Sequence, residues 1–254
     1  MPLSDDALVE LLHETALSVR AALDGLDRAD GWGLAGTRDG QYHSDLAADA
    51  AALAVLGQAE VGVLSEESGL QGGERDVVVV VDPLDGSTNA SRGVPWFATS
   101  LCAVDGDGLR AALVVDLPHG RTYTAVRGGG ASVDGVPLRP SGCTEAGDAL
   151  VGISGLPARS LGWRQFRSLG AAALDLCAVA DGTLDAFIDC SPSAHGAWDY
   201  LGATLICLEA GVIIGDAHGR ELATLDPLAR RTPVAAATQP LFDTLVSARR
   251  LLGE

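Results

Sequence analysis

The stretch Val77–Asn89, VVVVVDPLDGSTN, constrains the fold of this chain more than any other segment. Five valines in a row, bounded by turn formers, read as a buried strand, because β-branched runs of this length fit a sheet interior. The strand runs directly into two aspartates, Asp82 and Asp85, separated only by Pro83 and Leu84. Burying paired carboxylates at a strand end is costly unless a cation sits there. Gly86 permits a tight turn. Ser87 and Thr88 suit a helix N-terminus, where backbone N–H groups can receive a phosphate. Carboxylates for metal beside hydroxyls and amides for phosphate point to a phosphate-ester site.

The rest of the composition narrows the chemistry. At 254 residues and 47% hydrophobic, the chain can form one large domain or two fused lobes with a substantial core. Its formal net charge is −17, and every basic residue is arginine. Without lysine there is no Walker-type phosphate loop, Schiff base or lysine general base. The acidity argues against nucleic-acid polymers and anionic membranes as partners. It does not exclude a small phosphorylated substrate, since bound divalent ions reverse the local field. The five cysteines are scattered and form no C-x-x-C pair, as expected of small buried hydrophobes in a reduced cytosol. The acidic, amphipathic N-terminus MPLSDDALVELL lacks the features of a signal peptide, and no apolar run reaches membrane-spanning length. A cytoplasmic location is the expectation.

Periodicity and punctuation give the following elements. Ser4 caps a first helix carrying Leu8, Leu11, Leu12, Val19 and Leu23; residues 25–40 form a loop; residues 45–56 are helical. Strands are expected at 61–64, 77–81, 97–104, 109–115 and 122–126, with a turn-rich stretch at 128–137. Further strands fall at 151–153, 184–188, 212–214 and 233–237, and helices at 170–180, 198–210 and 241–252. Mixed order without strict alternation suggests layered α/β or α+β architecture.

Outside the Asp82–Asn89 turn, three acidic features stand out: Glu66-Glu67, Asp199 within Gly196–Tyr200, and Asp49. Hard oxygen ligands in this number suit Mg²⁺, Mn²⁺ or Ca²⁺. Taken singly, Glu66-Glu67 also reads as a solvated loop, Asp199 as a helix cap and Asp49 as part of an exposed helix face.

Together these residues carry a resemblance. Asp82–Asn89 resembles the first signature of the inositol monophosphatase family of metal-dependent, lithium-sensitive phosphatases. Trp198-Asp199, followed by Gly202-Ala203-Thr204 and Glu209-Ala210-Gly211, resembles the second. Ser65–Ser68 matches the family's Gly-Glu-Glu segment, and residues 113–137 and 167–189 resemble its central strands and its glycine-alanine helix. The resemblance implies a layered α-β-α-β-α sandwich of the α+β class. It also implies a single phosphatase domain over 1–254, with an N-terminal lobe to about residue 145 and a C-terminal lobe from about 146, usually homodimeric.

The site follows from the same resemblance. Glu66, Asp82, the Leu84 carbonyl, Asp85 and Asp199 would hold two or three Mg²⁺ ions, with Mn²⁺ an alternative. The physics agrees: two carboxylates near 4 Å repel by roughly 4 kcal/mol at an effective dielectric near 20. Ser87, oriented by Asp49, would help draw a proton from the attacking water, and the amides of Gly86, Ser87 and Thr88 would bind phosphate oxygens. Gly170, Ala171 and Ala172 would let a ring approach, and Asp189 would accept hydrogen bonds from substrate hydroxyls, unless it is only an exposed strand-end charge. Glu67 and Arg167 border the set, and Arg38 stands where the family often has a lysine. Arg159, Arg164 and Arg167 could meet a second phosphate or pair with surface carboxylates. His195 reads as a loop histidine without a role, and His43 and His119 are unassigned.

The implied activity is hydrolysis of inositol monophosphate or a related polyol or sugar phosphate by direct water attack. Alternatives are a 3'(2'),5'-bisphosphate nucleotidase, a fructose-1,6-bisphosphatase, a histidinol-phosphate phosphatase, or a non-catalytic binding protein.

Overall fold

The structure is a computed structural model that describes residues 3–27, 31–36 and 40–252. Helix α1 spans Asp5–Asp24, with Ser4 accepting from the Ala7 amide at 3.2 Å as the expected cap. Helix α2 spans His43–Leu56 and starts two residues before the alanine-rich run, because Asp45 Oδ2 accepts from the Tyr42 amide at 2.8 Å and fixes an earlier first turn.

These helices cover one face of an eight-stranded sheet. Its strands are β1 (Gly62–Ser65), β2 (Gly69–Gln71), β3 (Val78–Asp85), β4 (Ala98–Asp105), β5 (Gly108–Asp116), β6 (Arg121–Val126), β7 (Gly130–Val133) and β8 (Val136–Pro137), in the order β2-β1-β3-β4-β5-β6-β7-β8. A short helix, α3 (Ser87–Arg92), follows β3. A second, five-stranded sheet contains β9 (Leu150–Ser154), β10 (Gln165–Arg167), β11 (Ala186–Asp189), β12 (Ile213–Asp216) and β13 (Pro233–Ala236), in the order β10-β9-β11-β13-β12. Helices α4 (Ala172–Ala180) and α5 (Ala197–Ala210) lie between the sheets, and α6 (Gln239–Arg250) covers the outer face of the second. The layers therefore run α-β-α-β-α, the order implied by the resemblance.

The unbroken valine run has a simple cause. Val77, Val79 and Val81 pack with α1 and α2, while Val78 and Val80 face the core shared with α4 and α5. A strand covered on both faces has no solvent side to alternate with. Each such valine contributes about 1.5–3 kcal/mol on burial. In the second sheet, Val151, Ile153, Ala186 and Ile188 meet Leu241 and Leu245 of α6, whereas Phe187 and Ala235 turn toward α4 and α5. Helix α5 lies very close to β4. A Cβ on Gly202 would sit 2.7 Å from Ser100 Oγ and 3.1 Å from the Leu101 carbonyl oxygen.

Four short strands escape the sequence reading. β2 and β10 have three residues each, too few for a period. The 128–137 stretch is not only turns: β7 and β8 pair there through Asp134 (φ 48°) and Gly135 (φ 79°), the doubly positive dipeptide of a tight hairpin. The expected helix from Gly170 begins at Ala172, because Gly170 has φ 88°. All five cysteines are free, and Cys102, Cys177 and Cys207 are buried. Among the described residues, no helix is long and apolar enough to cross a membrane.

Candidate active site

The site forms where β3 ends. The strand pairs in parallel with β1 and antiparallel with β4, but its register on β4 shifts between Asp82 and Asp85. Pro83 and Leu84 occupy that irregularity. The Leu84 amide donates to Asp82 Oδ1 at 3.0 Å, and Thr99 Oγ1 donates to the Pro83 carbonyl at 2.9 Å. Asp82 and Asp85 are thereby both buried at the strand end.

Glu66 arrives from β1, its amide donating to the Val81 carbonyl at 3.2 Å. Asp199 arrives from the first turn of α5, where its Oδ2 accepts from the Gly196 amide at 2.8 Å. One carboxylate oxygen from each of Glu66, Asp82 and Asp199 lies within 4.8 Å of the others. Asp85 completes the cluster electrostatically. Burial, then the charges of Glu66, Asp85 and Asp199, hold the Asp82 carboxyl well above the usual carboxylate range. Burial and Asp199 push Asp85 up to about 7, against the amides of Ala173 and Ala172 and the charge of His195. Each carboxylate raises its neighbour through like-charge repulsion, which adds to the cost of burial. Such a set fits a hard divalent cation, with Mg²⁺ or Mn²⁺ matching its all-oxygen donors.

Asp49 does not meet its expected partner. Its Oδ1 accepts from Ser65 Oγ at 2.5 Å and Ser68 Oγ at 3.3 Å, and Ser87 makes no hydrogen bond to it. Asp49 lies on α2, which faces the connection after β1 rather than α3, so it grips both flanks of Glu66-Glu67. Glu67 in turn accepts from Gln41 Nε2 through Oε2.

Beyond Asp85, Gly86 has φ 84°, and a Cβ there would lie 3.1 Å from Ala171 Cβ, the Gly170 oxygen and the Trp96 oxygen. Only glycine suits both the conformation and the space. Ser87 and Thr88 open α3, where the first amides have no helical acceptor. Asn89 Nδ2 donates to the Trp96 and Leu169 carbonyls, both at 2.7 Å, and the Ala173 amide donates to Asp85 Oδ2 at 2.8 Å. These bonds tie Gly170, Ala171 and Ala172 to the strand end, so the expected substrate and metal residues adjoin.

A cavity of about 180 Å³ opens between them, walled by Asp85, Ser154, Ser168, Gly170–Ala172, Asp175, His195 and Asp199 among others. Asp189 is not in its wall. The side chain is 0% exposed, so it is not an exposed strand-end charge, and its Oδ2 is buried without a described hydrogen-bond partner. The loop after β11 folds back instead: the Ser191 amide donates to Asp189 Oδ1 at 2.8 Å, and His195 Nε2 lies 3.7 Å from that oxygen.

His195, which the sequence reading left without a role, faces Asp199 Oδ2 through Nδ1 and Ser154 Oγ through Nε2, both at 3.1 Å. Burial disfavours its charge, but the hydrogen bond to Asp199 and the charges of Asp199, Asp189 and Asp85 outweigh that and raise its pKa to about 9. The four-residue spacing to Asp199 was the available signal. Asp175 was also missed; its signal was a lone acid inside the apolar run AALDLCAVA. Its Oδ1 accepts from Trp96 Nε1 at 2.9 Å. Arg159, Arg164 and Arg167 are exposed, absent from the cavity wall, and, among the described residues, paired with no carboxylate. Arg38 lies outside the described residues.

Five layers with carboxylates from three separate elements gathered at strand and helix ends define an inositol monophosphatase-like fold around a cation-seeking centre. The chain belongs to the inositol monophosphatase family, whose profile matches residues 41–253. It is similar to a protein of Archaeoglobus fulgidus named fructose-1,6-bisphosphatase/inositol-1-monophosphatase, at 34% identity over 208 residues, 80% of this chain and 81% of that one. It is likewise 34% identical over 173 residues to the Nus factor SuhB of Escherichia coli strain K12, covering 62% of this chain and 63% of that relative. Among solved structures, the MJ0109 gene product, described as an inositol monophosphatase-fructose 1,6 bisphosphatase, superposes with a TM-score of 0.84 at 26% identity, covering 94% of this chain and 98% of that one.

Proposed function

We propose that this protein is a Mg²⁺-dependent phosphomonoesterase acting on inositol monophosphate or a related polyol or sugar phosphate. The observation that carries the reading is the convergence of Glu66, Asp82 and Asp199, with Asp85 beside them, at one buried strand end. Glu66, Asp82, the Leu84 carbonyl, Asp85 and Asp199 would hold two or three ions. Bound Mg²⁺ supplies the charge that makes water a competent nucleophile and stabilises the departing oxygen.

The chain's own residues then position the ester. The Gly86–Thr88 amides receive phosphate oxygens, and the Ser87 hydroxyl lies next to Gly86 to take part in proton transfer. Asp49 acts as a positioning residue, fixing Ser65 and Ser68 so that Glu66 is presented between them. Ala171 and Ala172 leave room for the alcohol half. A homodimer in the cytoplasm is the proposed setting; the usual state of the family supports the dimer, and the five free cysteines support the location.

The monophosphate is favoured over a bisphosphate because the three exposed arginines do not line the cavity, where, among the described residues, His195 is the only side chain able to carry positive charge. The test is phosphate release from a panel of phosphate esters with Mg²⁺ and with chelator. Metal-dependent release from a polyol monophosphate is expected. No release above background from any ester would leave a non-catalytic binding role instead.

A further inference from the structure

We propose that Asp175 selects the alcohol half of the substrate by receiving one of its free hydroxyl groups, an assignment that rests on the phosphomonoesterase reading. Asp175 lies on α4, where every residue from Ala172 to Ala180 is buried, and is itself 1% exposed. A carboxylate in such a run has no packing purpose, since an apolar residue of like size fills the space without desolvation cost. It is not in the converging trio of Glu66, Asp82 and Asp199. Its Oδ1 takes the single Trp96 N–H at 2.9 Å, and no described donor reaches Oδ2. A carboxyl group, whether ionised or protonated, accommodates more than one hydrogen bond, so this one is short of partners.

Two neighbouring polar side chains are already engaged. Ser154 Oγ faces His195 Nε2, and His195 Nδ1 faces Asp199. Asp175 Oδ2 is an open acceptor in the cavity wall outside the carboxylates assigned to the cation, beside the small residues Gly170, Ala171 and Ala172. A hydroxyl suits it, because it donates to a carboxylate and accepts from a carboxylic acid. A second phosphate does not, because its negative charge would be repelled, and among the described residues no arginine lines the cavity to hold it.

The experiment compares kcat/KM of the Mg²⁺-loaded full chain for inositol 1-phosphate, p-nitrophenyl phosphate and phosphoethanolamine. In the wild type, the inositol ester should be preferred. Asp175→Leu should lower the ratio of kcat/KM for inositol 1-phosphate over p-nitrophenyl phosphate about tenfold or more, the range of a hydrogen bond to a charged group. Asp175→Asn retains an oxygen for Trp96 and gives the same ratio test should the leucine variant fail to fold; it should shift the ratio in the same direction. A purely structural role would depress all esters together and leave the ratio fixed, which overturns the proposal. Preferred cleavage of phosphoethanolamine, lost in Asp175→Asn, would overturn it in favour of an ammonium group. If the wild type cleaves none of the three, the phosphatase reading itself fails; cleavage with an unmoved ratio removes only Asp175.

Discussion

Replacing Asp85 by asparagine should disable the site and yet stabilise the metal-free protein. Asp85 is buried, and burial together with Asp199 lifts its carboxyl from 3.8 to about 7. A carboxyl whose folded pKa is raised destabilises the fold once it must ionise. The penalty is absent below about pH 4, grows through pH 7 and is complete above it. At ~1.4 kcal/mol per pH unit the displacement is worth about 4 kcal/mol. Asparagine keeps an oxygen for the Ala173 amide, which donates to Asp85 Oδ2 at 2.8 Å. Its amide must still find an acceptor, so a net gain of about 2 kcal/mol is expected, and for a chain of this size that is a Tm rise of roughly 4–8 °C. Thermal unfolding in chelator at pH 8 measures it, and the gain should vanish at pH 4. Saturating Mg²⁺ should reverse the order, because only the wild type gains the full binding energy; a ligand at a hundred times its Kd stabilises by about 2.7 kcal/mol. Phosphatase activity should fall by orders of magnitude. A metal-free Asp85→Asn protein that is less stable than wild type at pH 8, or one with unchanged kinetics, would refute the reasoning.

Other outcomes follow from named contacts. Gly86→Ala should lower activity and cost on the order of 1–3 kcal/mol in denaturant unfolding, because φ is 84° and the new methyl meets three atoms at 3.1 Å. Gly202→Val should destabilise the fold by a similar or larger amount, since even its Cβ would press to 2.7 Å on Ser100 Oγ. Ser65→Ala removes the 2.5 Å donor to Asp49 and should raise the Mg²⁺ concentration needed for half-maximal activity, with about 1–3 kcal/mol lost in stability. Exchanging Arg159, Arg164 and Arg167 for glutamine should leave hydrolysis of a polyol monophosphate within about twofold of wild type, since these side chains are solvent-facing with no carboxylate partner among the described residues; a loss of tenfold or more would place them at the substrate.

Much of this architecture was legible because the decisive signals are local. The valine run, the Asp82–Gly86 turn and the Ser4 cap each state their structure within a few residues. Glu66 and Asp199 were legible as types, but their meeting depends on β1 lying parallel to β3 and on α5 starting beside it. Asp189 shows where such reasoning stops. Strand alternation puts it on the same face as Phe187, toward α4 and α5, which is the side of the cavity. What residue spacing does not encode is the return of the following loop, packed so closely that a Cβ on Gly155 would sit 2.6 Å from Ser191. That return buries Asp189 and presents His195. Asp49 likewise faces the cluster from α2, yet its serine partners lie sixteen and nineteen residues away. Long-range side-chain pairing of this kind leaves no periodic trace.

The most direct test is anomalous diffraction from crystals soaked in Mn²⁺, a stand-in for Mg²⁺ that can be located without ambiguity. The account predicts at least one strong peak within about 2.0–2.3 Å of oxygens from Glu66, Asp82 and Asp199. Millimolar Mn²⁺ with no density among those carboxylates, or density only elsewhere on the molecule, would contradict it.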